Sequence, residues 1–155
     1  GYKFNFTDLQ ASIRVEQLKK LNSIISYRKK IRSVYDKELG NLVKKKLIKI
    51  FKIKKNFKSS EYIYTILINK NKDQQLRDKL IQFLKKNKIN TTVHYIPLFE
   101  LKFYKDKFSK KKFPNTNYVY KNIVSLPFHN KLKLNQVKYI SNKINDFFNY
   151  ENKKK

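Results

Sequence analysis

The sequence predicts an α+β fold in which a long N-terminal helix leads into a small sheet of about three strands covered by helices. Three observations carry this prediction. Apolar residues recur at helical spacing over the first forty positions, and again over the last twenty. Between them, short segments are rich in β-branched and aromatic residues, as strands are. At 155 residues, we expect one domain with a core of its own.

The N-terminal helix is predicted over residues 7–39, either straight or kinked. Thr7 and Gln10 fit a capping box, and Asp8 adds an acid to the first turn. Gly40 is a natural C-terminal cap. The apolar positions are Leu9, Ile13, Leu18, Leu21, Ile25, Val34 and Leu39. Because so small a domain cannot bury a helix of this length, we expect it to bury one face against a large domain or a second subunit.

The small sheet and its covering helices are predicted further along the chain. Strands are predicted at residues 47–53, 62–68 and 89–96, the last closed by Pro97. Further helices are predicted at 73–87 with Asp73 as cap, at 98–108, at about 115–123, and from Asn135 with Val137, Ile140, Ile144, Phe147 and Phe148 as its apolar face. Residues 125–129 are predicted to be an extended link, and the tail at 152–155 to fray.

The net charge of +27 raises the question of nucleic-acid binding. Only four of the 38 basic residues are arginine, however, and nucleic-acid sites draw on arginine for its bidentate fork. Lysine, asparagine, isoleucine, phenylalanine and tyrosine all have A/T-rich codons. A biased genome, with lysine filling solvated positions, is therefore the plainest explanation. We expect non-specific attraction to polyanions and no specific nucleic-acid partner.

Several other classes of protein are disfavoured by what the sequence lacks. It has no apolar run near the roughly 20 residues that cross a bilayer, and no signal-peptide pattern. Without cysteine it has no thiolate metal site. These observations predict a cytoplasmic protein without a membrane partner. Its two glycines cannot form a phosphate loop, and no zinc pattern is present, so the chain alone is not expected to be a self-sufficient enzyme.

Three segments nevertheless carry candidate functional residues. Lys3 and Asn5 fall on one side of an extended lead, where they could hold an anionic group or simply be solvated. His94 ends a predicted strand beside Tyr95, a position that suits either function or a structural bond to the backbone. His129 is predicted to be structural or exposed.

In order and spacing, these segments resemble the nucleotide-sugar aminotransferases of the DegT/DnrJ/StrS type. Residues 1–21 are similar to the family pattern GYNYRMTDIQAAIGLAQLKKL, and members that aminate 4-keto sugars have the variant GYKYN. Residues 92–98 resemble VHYIPLH, and residues 113–117 followed by 125–128 resemble FPNAE…SLPL. The resemblance covers almost the whole chain. It departs from the family at Arg14 (usually Gly or Ala), Phe99 (His), Asn117 (Glu) and Asn130 (Pro).

The resemblance implies the small C-terminal domain of a type I pyridoxal-phosphate aminotransferase. Residues 1–40 would be the lead and linking helix, 41–150 the small α+β domain, and 151–155 a frayed basic tail. In the family the cofactor lysine lies in a large N-terminal domain. We expect that catalytic domain to be absent here, because no lysine of this chain matches the Schiff-base position.

The resemblance also assigns roles to the candidate residues. It implies a homodimer whose active sites lie at the interface. Asn5 would contact the cofactor phosphate of the partner subunit. Lys3 would assist at the diphosphate of the nucleotide sugar, and His94 and Tyr95 would lie near the sugar-nucleotide site. No residue of the chain is expected to be catalytic or to bind a metal.

The implied activity is transfer of an amino group, typically from glutamate, to a nucleotide-linked keto sugar for surface glycan or polysaccharide synthesis. Pyridoxal phosphate would be the cofactor of the full enzyme, and this chain would be inactive alone. Two alternatives remain open. One is a non-catalytic remnant or partner-binding domain, and the other is a basic anion- or nucleic-acid-binding module.

Overall fold

The computed structural model describes residues 4–53, 56–69, 75–106 and 112–153. Its elements are α1 (Asp8–Lys19), α2 (Leu21–Glu38), α3 (Gly40–Lys44), β1 (Ile48–Ile50), β2 (Tyr64–Ile68), α4 (Leu76–Lys86), a 3₁₀ helix (Leu98–Glu100), α5 (Pro114–Asn122), β3 (Ile123–Leu126) and α6 (Leu134–Lys153). The predicted α+β class, with a small sheet covered by helices, is confirmed.

The sheet is antiparallel, with β2 between β1 and β3. Ile66 pairs with Val124, and Ile48 pairs with Ile68, so that alternate residues point to one face. That face forms the core with α2, α4 and α6. The opposite face carries Ser125, which pairs with Thr65. The sheet therefore separates the main core from the side on which Ser125 lies.

The core contains the largest fully buried side chains of the described residues. Tyr35 of α2 stacks on Tyr64 of β2 with their ring centroids 4.6 Å apart. The predicted apolar face of α6 is confirmed, since all five of its residues are buried. Packing of this face on α2 and α4 stabilises the fold, because burial of an aliphatic or aromatic side chain is worth about 1.5–3 kcal/mol.

The N-terminal helix is broken in two. The predicted capping box is present: Thr7 accepts from Gln10 N, and the Gln10 side chain accepts from Thr7 N. At Lys20 the backbone leaves ideal helical geometry, and its N–H bonds to Gln17 O three residues back. The prediction for Gly40 is wrong, because Leu39 ends α2 and Gly40 begins α3. Leu39 is fully buried, and its packing in the core fixes the end of α2 without a glycine cap.

The third strand is not where the sequence predicts it. Residues 89–96 make only an isolated bridge, between Thr92 and Ser125, and the strand is β3. All four residues of β3 are buried, so it has no alternation to distinguish it from a link. The first strand is shorter than predicted.

Other predicted elements have mixed outcomes. The predicted helix at 98–108 is reduced to the 3₁₀ helix, and its residues 107–108 lie outside the described part. Asp73 also lies outside it, whereas α5 is confirmed. Asn135 does not cap α6 but lies in its first turn. Within the described ranges, every helix is too short or too polar to cross a membrane.

Candidate functional site

His94 is held against the sheet by backbone pairing of its own segment. Thr92 and Ser125 exchange two hydrogen bonds, Ser125 N to Thr92 O at 2.8 Å and Thr92 N to Ser125 O at 3.2 Å. Because Ser125 belongs to β3, this bridge fixes the loop after α4 to the edge of the sheet. His94 follows two residues later and is half-buried.

The ring of His94 is fixed by a buried serine. Ser125 is 2% exposed, and its Oγ lies 2.8 Å from His94 Nδ1. Thr92 Oγ1 lies further away, at 3.4 Å. A hydrogen bond to one ring nitrogen sets the orientation of the ring and leaves the other nitrogen for a ligand. The SLPL-like segment includes Ser125 but does not indicate its contact with His94, which is 31 residues away along the chain.

His94 borders two cavities. The larger, of about 760 Å³, is lined by Arg28, Lys88 and His129 among others. The smaller, of about 350 Å³, is lined by Tyr95 and by residues of α5. The predicted candidate His94 therefore lies at a concave site, and the structure brings His129 to the same cavity.

Tyr95 is the exposed partner of His94. Its ring meets the His94 ring edge to face, with centroids 4.6 Å apart, and 68% of the residue is exposed. A side-chain hydrogen bond with Tyr62 raises the pKa of Tyr95. Tyr62 lines the larger cavity, so the two tyrosines link its rim to the segment that carries His94.

Two arginines of α2 anchor the segment that carries Tyr62. Arg32 Nε pairs with Glu61 Oε2 at 2.6 Å, where the Glu61 side chain is almost fully buried. Arg28 Nη1 donates to Glu61 O at 3.1 Å, and Arg28 Nε donates to Asn130 Oδ1 at 2.8 Å. A proline at 130, as in the family pattern, would have no side-chain acceptor for Arg28. Arg28 and Tyr62 are site residues that the sequence alone does not predict.

Phe99, which replaces a histidine of the family motif, has become part of the packing. It is buried, and it stacks on Phe113 with their ring centroids 6.1 Å apart. The position therefore contributes no polar group to the site. Among the described residues, no three His, Cys, Asp or Glu side chains are grouped as metal ligands would be.

The lead segment is separate from His94 in the described structure. Asn5 is exposed, lies two residues before the cap of α1, and has no side-chain partner among the described residues. Lys3 lies outside the described residues. The structure therefore brings His94 and Tyr95 together, but it records no contact between Asn5 and either of them.

The fold is similar to that of sugar aminotransferases. Spr1654 of Streptococcus pneumoniae, assigned provisionally as a sugar aminotransferase, matches with a TM-score of 0.86 and 30% identity over 95% of this chain and 36% of its own. Its structure is also known in PMP and PLP forms.

Residues 1–145 match the family model described as the DegT/DnrJ/EryC1/StrS aminotransferase family. The chain belongs to this family, whose members depend on pyridoxal phosphate.

Two curated relatives agree with this assignment. The uncharacterized protein MJ1066 of Methanocaldococcus jannaschii is 42% identical over 134 residues, which are 85% of this chain and 34% of MJ1066. The UDP-4-amino-4,6-dideoxy-N-acetyl-beta-L-altrosamine transaminase of Campylobacter jejuni is 32% identical over 140 residues, 90% of this chain and 36% of the enzyme. The chain thus spans about a third of the length of the curated relatives that it matches.

Proposed function

We propose that this chain is the C-terminal portion of an aminotransferase that moves an amino group, typically from glutamate, to a nucleotide-linked keto sugar. The product would serve surface glycan or polysaccharide synthesis. The observation that carries the proposal is the family match over residues 1–145, combined with coverage of about a third of each relative. The name of the Campylobacter jejuni relative supports a nucleotide-linked amino sugar as the class of product.

The proposed domain organisation assigns the chain a supporting role. Residues 1–40 are the lead and linking helices, residues 41–150 are the small domain, and 151–155 are a basic tail. A large domain contributes the cofactor lysine, and two subunits form the complete site in a cytoplasmic homodimer. The exposed apolar side chains of α1 support this arrangement, because a helix with apolar residues on several sides is normally buried.

The residues near the start of the chain fit a cofactor phosphate. The exposed amide of Asn5 has no partner among the described residues, so it is available to donate a hydrogen bond to an oxyanion. Pyridoxal phosphate, when bound, supplies the electron sink that amino-group transfer needs. In the proposal Asn5 binds its phosphate across the subunit interface, and Lys3 assists at the substrate diphosphate.

His94 and Tyr95 are proposed to contact the nucleotide sugar. The 2.8 Å bond from Ser125 holds the His94 ring at the border of the two cavities. The exposed ring of Tyr95 lies edge to face beside it. These groups would bind and orient the substrate, whereas proton transfers would belong to the large domain.

A domain-replacement chimera tests the proposal. The matching segment of the Campylobacter jejuni transaminase would be replaced by residues 1–145 of this chain, and amino transfer to its nucleotide sugar would be measured. We expect activity from the chimera and none from the 155-residue chain alone. A cofactor absorbance band of the isolated chain that one Lys→Ala change removes would contradict the proposal.

The chimera also tests Asn5. Loss of a hydrogen bond to a charged phosphate costs about 1.5–3 kcal/mol, so Asn5→Ala is expected to raise the dissociation constant of the cofactor roughly ten- to a hundredfold. Asn142→Ala, at an exposed position of α6, is the matched control. Equal cofactor retention in the two variants would show that Asn5 belongs only to the lead segment.

The competing proposal is a non-catalytic domain that binds a partner through α1. It shares the exposed apolar side chains of α1 but needs no substrate contact at His94. His94→Ala in the chimera separates the two proposals. A lower kcat/KM for the nucleotide sugar, with the folded chimera and its cofactor retained, favours the enzyme. Unchanged kinetics favour the partner-binding domain.

A further inference from the structure

Arg14, on α1, differs from the solvated basic residues that lysine supplies elsewhere in this chain. Lysine makes up 34 of the 38 basic residues, and only four are arginine. The other three, Arg28, Arg32 and Arg77, each donate a hydrogen bond to a residue from another part of the fold. In this composition an arginine indicates a specific contact, so Arg14 is expected to have one as well.

The partner of Arg14 is the ring of Phe6. The guanidinium carbon lies 3.5 Å from the ring centroid, whereas the other cation–ring contacts between described residues are 5.3 Å or longer. Within the described part of the chain, the Arg14 guanidinium makes no hydrogen bond or ion pair. Arginine suits this contact, because its planar guanidinium stacks on an aromatic face.

The pair is particular to this chain. In the family pattern that residues 1–21 resemble, Met and Gly stand at the positions of Phe6 and Arg14. Those two residues could not make the contact, because Met has no aromatic face and Gly has no side chain. Two departures from the pattern therefore meet in one contact.

The contact lies next to Asn5, the residue proposed to bind the cofactor phosphate. One peptide bond joins Phe6 to Asn5, so their Cα atoms are about 3.8 Å apart. On the other side of Phe6, Thr7 is fixed by its capping box with Gln10. The lead segment is thus held at two consecutive residues, while the side chain of Asn5 stays exposed.

We propose that Arg14 is a positioning residue for Asn5. Its guanidinium holds the Phe6 ring against α1 and so orders the lead segment before a ligand binds. Ordering in advance reduces the entropy that a flexible segment loses on binding, and it lowers the dissociation constant accordingly. The ordering rests on the contact alone, whereas its use at the cofactor phosphate rests in addition on the proposed function.

NMR of the 155-residue protein tests the ordering without a cofactor. A ring stacked on the guanidinium should shift the Arg14 Cδ protons upfield, and the backbone amides of Asn5 and Phe6 should show restricted motion. Phe6→Leu should remove the shift, and both Phe6→Leu and Arg14→Gln should make the Asn5 amide more mobile. Phe6→Tyr keeps the aromatic face and should retain the order. A wild type without the shift, or equal Asn5 mobility in all four proteins, would overturn the proposal.

The chimera tests the effect on the cofactor. Arg14→Gln and Phe6→Leu are each expected to raise the Kd of pyridoxal phosphate about two- to fivefold, the range set by an exposed cation–ring contact. Both positions are exposed, so neither variant is expected to unfold the domain. Lys20→Gln removes the same charge at another exposed position and should leave the Kd unchanged. Equal weakening by Lys20→Gln would show a response to net charge only, and would overturn the positioning role.

The double variant tests whether the two residues act as a pair. Because Arg14→Gln and Phe6→Leu break the same contact, their combination should raise the Kd no more than either change alone. Effects that multiply in the double variant would show two independent causes and would overturn the pair.

Asn5→Ala separates positioning from direct attraction of the phosphate. In the proposal Arg14 acts through Asn5, so Arg14→Gln should not raise the Kd further in a chimera that already lacks the Asn5 side chain. A further rise would show that the guanidinium attracts the phosphate itself, and would overturn the positioning role.

The two assays distinguish failure of the contact from failure of the proposed function. An inactive chimera that binds no cofactor, with the Arg14 shift present in the isolated protein, would remove the proposed function and the role at the phosphate but leave the ordered lead. An active chimera, with no Arg14 shift in the isolated protein, would overturn only the role of Arg14.

Discussion

Two consecutive helices, α1 and α2, are packed in opposite ways. No residue of α1 is buried, and Leu9 and Ile13 are 74% and 55% exposed. α2 begins two residues after α1 ends and completely buries Ile31 and Tyr35. Both helices carry apolar side chains, so hydrophobicity does not distinguish them. What differs is that α2 lies against α6, whereas α1 contacts little beyond α2.

The exposed side chains of α1 do not form the single apolar face that helical spacing predicts. Leu9 and Ile13 are one turn apart and share a face. Leu18 lies about two and a half turns after Leu9, and therefore on the opposite side. A helix that is apolar on opposite sides needs cover on more than one side. The comparison shows that the position of an apolar residue in a helix predicts helix formation better than it predicts burial.

The largest effect is expected on self-association, when exposed apolar side chains of α1 are replaced by lysine. Because each apolar side chain buried in a contact is worth about 1.5–3 kcal/mol, the isolated chain should self-associate despite its charge. The double change Leu9→Lys and Ile13→Lys should weaken this association by about a hundredfold or more, as measured by light scattering. Ser12→Lys with Gln17→Lys adds the same charge at exposed polar positions of α1 and should have a smaller effect.

Matched leucines test the core next. Leu80 of α4 is fully buried, so Leu80→Ala should lower the free energy of unfolding by about 2–5 kcal/mol. Leu9→Ala should change it by less than about 0.5 kcal/mol, because Leu9 is exposed. Chemical denaturation of both variants measures the difference. Similar losses of stability in the two variants would mean that α1 is packed against the domain formed by α2 to α6 and the sheet.

Alkaline pH probes the core through its tyrosines. Burial raises the pKa of Tyr35, and burial followed by the hydrogen bond to Asp36 raises that of Tyr64. Both hydroxyls stay protonated in the folded protein above pH 10, where the unfolded chain loses those protons. The free energy of unfolding should therefore fall above about pH 10, by about 1.4 kcal/mol per pH unit for each tyrosine.

Tyr64→Phe isolates one of these contributions. Denaturation at several pH values should give a shallower fall above pH 10 than in the wild type, whereas Tyr139→Phe, at an exposed position, should leave the fall unchanged. Titration of the lysines is common to all three proteins and cancels in the comparison. An unchanged slope in Tyr64→Phe would contradict the raised pKa.

The elements that the sequence predicts correctly are those with one clear local signal, such as helical spacing or a capping box. The face of α6 follows from helical spacing, and the start of α1 from its capping box. β3 could not be predicted, because helices or loops cover both of its faces and remove the alternation that marks a half-buried strand. Residues 89–96 have the composition of a strand, but they pair with the sheet only through Thr92. The position beside β2 that was predicted for them is occupied by β3.

The candidate site was predictable only in part, for a related reason. His94 and Tyr95 are adjacent, and their motif identifies them. Ser125 bonds to His94 across the fold, and Arg28 and Tyr62 line the same cavity as His94; no local pattern indicates this arrangement. A single sequence reveals groups that are neighbours along the chain, whereas the partners that orient them depend on the register of β3.

The smallest effect is expected from loss of the N-terminal cap of α1. This change tests whether α1 unfolds separately from the rest of the domain. Thr7→Ala removes the hydroxyl that accepts from Gln10 N, a loss of about 0.5–2 kcal/mol of helix stability. Because α1 buries no residue, this loss should appear as fraying of α1, seen as reduced helicity by circular dichroism. The free energy of unfolding reported by tyrosine fluorescence should change by less than about 0.5 kcal/mol, since the fully buried tyrosines belong to the body. Thr7→Ser keeps the oxygen and should restore the helicity. A drop of about 1 kcal/mol or more in global stability, absent in Thr7→Ser, would show that α1 unfolds together with the core, and the contrast between the two helices would then be one of exposure alone.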